Sequence, residues 1–169
     1  MKKVFLLGLA IMLFAACQED YYTQKSEEID TFKKVLEDYK TQNWSDYPNH
    51  YADTAKVMNN VTKEKAQTVA QAIEKNKEDA KLFTWVLEDE DIEMVKTEKG
   101  QTWVNYWGIW KGTLKSTKKV YQIPIHITAR FIDGKIVTEN GYWDNSEIAI
   151  DMLSKSPTSD TIVTTAQSN

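Results

Sequence analysis

Few side chains in this sequence can carry acid–base, nucleophilic or metal chemistry, and their spacing narrows the choice. There are two histidines, His50 and His126. His126 interrupts the alternating run VYQIPIHITARF, and Asp144 closes the following run, so the two form a candidate catalytic acid–base pair. Strict alternation turns His126 away from the isoleucine face. A bulge at Pro124 would redirect it into a pocket, and otherwise it is a structural or interface histidine. His50 lies in the polar break NWSDYPNH and reads as an exposed loop residue. Glu88-Asp89-Glu90-Asp91 lacks the alternate ligand spacing and central glycine of a calcium loop, and reads as a solvated strand edge. The single cysteine, Cys17, cannot close an intrachain disulfide and has no second thiol for a metal or redox motif. Zinc would find no thiol in the domain and no paired histidines, so no metal and no cofactor are implied.

The aromatic residues are the more distinctive set. Trp103 and Trp107 share one face of QTWVNYWGIWKGTL, and Tyr106 and Trp110 share the other. Both faces of that strand therefore need cover, and a sheet-to-sheet homodimer would supply it on one side. Tyr39, Trp44, Tyr47, Trp107 and Trp143 are candidate ligand-pocket residues, because an indole or phenol offers apolar area and a hydrogen bond together. Core packing accounts equally well for any one of them.

These groups need elements to position them. Ser26 followed by Glu27 and Glu28 reads as a helix start, with Ile29, Phe32, Leu36 and Tyr39 forming one apolar stripe. Tyr51–Met58 reads as a short strand, and Thr62 as the cap of a second helix ending near Asp79. The period then shifts toward two. LFTWVLEDEDIEMVK, QTWVNYWGIWKGTL, VYQIPIHITARF and KIVTENGYW read as four strands, with a turn at Lys99-Gly100 and a type I′ hairpin at Asp133-Gly134. Helices early and a long antiparallel meander late make an α+β domain, with helices packed on one face of a strongly curved sheet. The Ser/Thr-rich stretch 154–169 reads as a disordered tail.

The first residues set the compartment. Lys2 and Lys3 precede 13 uncharged, mostly apolar residues, Val4 to Ala16, a run too short to span a bilayer but suited to a secretory signal. Together with Ala15-Ala16-Cys17 this resembles the bacterial lipoprotein signal, which implies removal of residues 1–16, acylation of Cys17 and a tether over 17–26. Gln18 after the cysteine favours the outer membrane, with the domain facing the periplasm or the cell surface. Without residues 1–16 the chain holds 19 basic and 25 acidic side chains, a net −6, and one arginine, Arg130. That balance argues against a nucleic-acid partner.

Within 27–153, NHYADTAKV, ARFIDGKIV and GYWD resemble segments of the NTF2-like superfamily, nearest its SnoaL-like branch. The resemblance implies a cone-shaped fold around a pocket for a small ligand, and commonly a dimer through the sheet. It also implies that ketosteroid-isomerase chemistry is absent, because Val35, Asn59 and Ile127 stand at the positions of its tyrosine, base and aspartate. The expectation is a lipid-anchored domain that binds a small, partly apolar molecule without catalysis. The alternatives are an isomerase, cyclase or hydro-lyase using His126 and Asp144, and a protein-interaction module using the sheet face.

Overall fold

The computed structural model describes residues 21–154; the signal segment, Cys17 and the tail beyond Ser154 lie outside the described residues. Strand β1 (Tyr22–Thr23) precedes helix α1 (Glu27–Thr41), then β2 (Tyr51–Asn59), α2 (Val69–Leu82), β3 (Phe83–Lys96), β4 (Thr102–Leu114), β5 (Val120–Ile132), β6 (Lys135–Trp143) and α3 (Ser146–Ser154). The fold is α+β. One six-stranded sheet has the order β1-β3-β4-β5-β6-β2, antiparallel except where β2 runs parallel to β6.

Helix α1 forms as its sequence dictates. Ser26 accepts the Ile29 amide at its start, Glu27, Glu28 and Asp30 sit in the first turn, and Gln42 ends it in a left-handed conformation. Its stripe Ile29, Phe32, Val35 and Leu36 is buried against Val104, Tyr106, Ala129, Phe131 and Ile136 of the sheet. Helix α2 begins later than expected. Thr68, not Thr62, caps it, because Gln71 completes a reciprocal capping box with Thr68, whereas Thr62 leads only into a short 3-10 turn.

Two residues placed in the tether by the sequence reading, Tyr22 and Thr23, pair with Val95 and Met94 as β1. The hairpin at Asp133-Gly134 has positive φ at both positions, 50° and 72°, as a type I′ turn requires.

Two bulges then decide which side chains reach the helix side of the sheet. Glu88 faces Ile109 and Asp91 faces Trp107, so β3 carries one residue more than β4 there, with Asp89 at φ 51°. The acidic run is therefore a bulge within a strand, and Glu90 turns inward, where Tyr106 Oη donates to it at 3.1 Å. Likewise Arg130 faces Thr138 and Phe131 faces Ile136, leaving Val137 as the extra residue of β6.

Candidate functional site

The helix side of the sheet carries a continuous run of aromatic rings. Trp85 and Trp110 are stacked with centroids 6.5 Å apart, and Tyr39 stacks on Trp85 at 4.9 Å. Trp110 Nε1 donates to Tyr39 Oη at 3.0 Å. Trp44 meets Tyr39 and Tyr47 edge-on, and Tyr47 stacks on Tyr51 at 5.4 Å. Three of the expected pocket residues, Tyr39, Trp44 and Tyr47, thus come together at the end of α1 and the turn after it. Trp143 lies farther along the same side, beside the cluster of Phe83, Leu114, Tyr121 and Ile123.

Two indoles lie flat because glycine leaves room beneath them. A Cβ on Gly112 would fall 1.9 Å from the Trp110 ring, and one on Gly141 would fall 2.4 Å from the Trp143 ring and 2.5 Å from Asn59 Oδ1. The inner wall therefore presents ring faces laid along the strands.

At the far end of the ring chain stands an acid. Glu139 is 4% exposed, and Tyr51 Oη donates to its Oε2 at 2.5 Å, with Tyr47 Oη 3.1 Å from Tyr51 Oη. Burial pushes the Glu139 carboxyl above the usual range, with the Tyr51 bond opposing. Burial first, then the Glu139 charge, pushes the Tyr47 and Tyr51 phenols up as well. A carboxyl whose hold on its proton is strengthened by burial, with a phenol bonded to it, is suited to donate to, or protonate, an oxygen brought against it. The sequence reading missed Glu139, since alternation counted from Ile136 turns it outward and only the Val137 bulge brings it in.

Two buried polar atoms on this side have no hydrogen-bond partner among the described residues, Trp85 Nε1 and Asn59 Oδ1. One is a donor and the other an acceptor; Trp143 lies over Gly141 beside Asn59, while Trp85 stacks with Tyr39 and Trp110. Native chains rarely leave such atoms unpaired. Of the other positions matched to ketosteroid isomerases, Val35 is 3% exposed in the core and Ile127 packs against it.

The proposed acid–base pair is not assembled. Strand β5 pairs with β4 without a break from Val120 to Phe131, straight through Pro124, so no bulge turns His126 inward. Pro124 is accommodated because β6 ends opposite Ile125, one residue short of it. His126 instead stands on the outer face, stacked between Trp107 at 4.9 Å and Tyr142 at 6.2 Å, with Nδ1 3.1 Å from the Tyr106 carbonyl. Trp107 accordingly belongs to the outer face and not to the pocket. Asp144 is exposed and accepts the Ser146 amide at 2.8 Å; that bond, first among the causes, lowers its pKa at the start of α3.

His50 also departs from expectation. Its Nε2 lies 2.8 Å from Asp38 Oδ2, and Asn43 donates to the other Asp38 oxygen at 2.9 Å. The pair is largely buried and borders a cleft of about 320 Å³ lined also by Lys34, Glu37, Asp46 and Asn49. Among the described residues no three His, Cys, Asp or Glu side chains converge as metal ligands.

No protein-family model matches the chain, and a comparison with curated proteins also finds no match. Solved structures share its fold at low identity. A proposed polyketide cyclase from Xanthomonas campestris pv. campestris superposes with a TM-score of 0.62 at 12% identity, over 75% of this chain and 96% of that one. An NTF2-like protein from Burkholderia xenovorans gives 0.59 at 11% identity, over 76% and 98%. A proposed polyketide cyclase from Streptomyces antibioticus gives 0.59 at 14% identity, over 75% and 99%. The chain has the NTF2-like fold.

Proposed function

Starting from that fold, we propose that the protein is a lipid-anchored envelope protein whose domain binds a small, partly apolar molecule on the helix side of its sheet, without chemical turnover. The observation that carries this reading is the unpaired donor and acceptor, Trp85 Nε1 and Asn59 Oδ1, set among aromatic rings. A ligand acceptor would satisfy Trp85 Nε1 beside the ring faces of Tyr39 and Trp110, and a ligand donor would satisfy Asn59 Oδ1 beside Trp143. The absence of an assembled His126–Asp144 pair weighs against the acid–base alternative first considered.

Native mass spectrometry on the protein taken from its host's envelope tests the reading. The expected result is a discrete added mass that is lost in a Trp85→Phe, Asn59→Leu double variant of retained stability. A ligand-free protein, or an added mass indifferent to both substitutions, overturns it.

The anchor is proposed from the segment Val4–Cys17. Acyl chains contribute about 0.8 kcal/mol per buried CH₂, so several on one residue hold a domain firmly to a bilayer. Cys17→Ser is expected to move the protein from the membrane fraction to the soluble envelope fraction, and mass spectrometry of the wild type should show acyl groups on Cys17. Outer-membrane residence and a homodimer through the outer face belong to the same proposal. The exposed stack Trp107, His126, Tyr142, with Tyr142 at 54% exposure, is the surface such a dimer would cover.

A second reading rests on Glu139. A buried carboxyl hydrogen-bonded to Tyr51 is equipped for acid catalysis of an isomerase, cyclase or hydro-lyase kind. If the captured molecule is converted by the wild type and not by Glu139→Gln, that reading replaces the first.

A further inference from the structure

Strand β1 is very short, and its position is informative. The Tyr21 carbonyl accepts the Lys96 amide at 2.8 Å, and Tyr22 and Thr23 pair with Val95 and Met94. The chain is therefore fixed to the domain from Tyr21 onward. At this edge Tyr21 and Tyr22 are 58% and 55% exposed. Tyr21 immediately precedes β1 and Tyr22 opens it, so this edge carries two adjacent exposed amphipathic rings.

Three residues separate Cys17 from Tyr21 in the sequence. Four extended steps span at most about 14 Å. If Cys17 carries acyl chains its backbone sits at the headgroup level, and that level is about 5–7 Å thick on each side of the hydrocarbon. Tyr21 then stays within about 14 Å of the anchored residue, close enough for its ring to reach the headgroup layer, and phenols settle favourably at such a boundary.

We propose that the β1 edge, with Tyr21 and Tyr22, is the membrane-facing side of the domain, its rings seated in the lipid headgroup layer. The proposal rests on acylation of Cys17. The charges around the edge are mixed: Lys25 and Lys99 are exposed beside it, while Glu93 and Asp91 face Tyr22 and Glu98 lies in the following turn. Seating therefore depends on the rings and the short anchor rather than on anionic lipid, and neutral lipid suffices.

The test uses the full acylated protein in neutral phosphatidylcholine vesicles, with amide hydrogen exchange as the readout and intact mass to verify the acyl groups. Amides of Tyr22–Gln24 and 96–101, which exchange when β1 frays, are expected to slow several-fold relative to Cys17→Ser protein in the same buffer. The acylated Tyr21→Ser, Tyr22→Ser variant is expected to lose that slowing while α1 and β4 exchange unchanged. Acylated protein whose β1 edge exchanges as fast as the Cys17→Ser protein, or which is protected at another surface instead, overturns the orientation and leaves the anchor standing. Absence of acyl groups overturns both.

Discussion

Replacing Glu139 by glutamine is expected to flatten part of the pH dependence of stability and to leave the fold intact. The carboxyl has a raised pKa in the folded chain, mainly from burial. Such a group binds its proton more tightly folded than unfolded. Its contribution is present in full below the unfolded value, about 4.3, and is lost as pH rises toward the folded value. Across that window stability falls by at most about 1.4 kcal/mol per pH unit through this residue alone. The glutamine side chain still accepts the Tyr51 hydroxyl and does not titrate. The variant should therefore gain on the wild type steadily as pH rises from about 4.5, and denaturant midpoints for both proteins at successive pH values check this. Other carboxylates cancel in the difference if they do not touch the site. Equal slopes would mean that Glu139 titrates as it does in the unfolded chain. Glu139→Leu supplies the contrast, since it removes the Tyr51–carboxyl bond and leaves Tyr51 only its 3.1 Å contact with Tyr47 Oη, and it is expected to cost about 1–3 kcal/mol at acid pH.

Gly112→Val is the substitution expected to do the most damage per atom added. A Cβ there would lie 1.9 Å from Trp110 Cη2 and 2.1 Å from Cζ3, so the indole must leave its place. It would give up its bond to Tyr39 and its contacts with Trp85 and Phe83. Overpacking costs about 1–3 kcal/mol and each lost aromatic pair about 0.5–1.5 kcal/mol, so a total near 3 kcal/mol or above is expected. Chemical denaturation measures it, and loss of near-ultraviolet circular dichroism reports the freed indole. The cause is checked in a Trp110→Ala background, where adding valine at 112 should cost far less than in the wild type. A full penalty in that background would locate the strain in the backbone instead.

The strands were legible in the sequence where local rules act alone. Asp133-Gly134 fixed the hairpin, and the alternation from Tyr121 to Phe131 gave the buried face of β5, because neither depends on a distant partner. The same alternation failed wherever a strand gained a residue. Nothing local distinguishes Val137 from its neighbours, yet its bulge carries Glu139 from the solvent side to the core. His126 shows the converse: the proline suggested an irregularity, and unbroken pairing with β4 left none. The Asp38–His50 pair was hidden because its geometry depends on how the turn after α1 folds back. Helix α3 was too short to show a period, although Asp144 and Ser146 mark its start. Of the candidate pocket residues, those on α1 and the turn after it come together on the helix side, while Trp107 lies on the outer face, a distinction alternation could not draw because both faces of β4 carry large rings.

The order of the strands has a kinetic consequence. Strands β3 to β6 each neighbour the next in sequence, so three hairpins can form them quickly. The parallel strand β2 can join only after β6 exists, bringing Tyr51 to a residue 88 positions later in the chain. Long-range parallel closure of this kind is intrinsically slow. Until it happens Glu139 remains in water, and docking of β2 is the step that buries its carboxyl beside Tyr51. Burial disfavours the ionised form, so this closing step is the one at which the carboxyl's hold on a proton tightens. It should therefore slow as pH rises through the carboxylate range, and Glu139→Gln should remove that dependence.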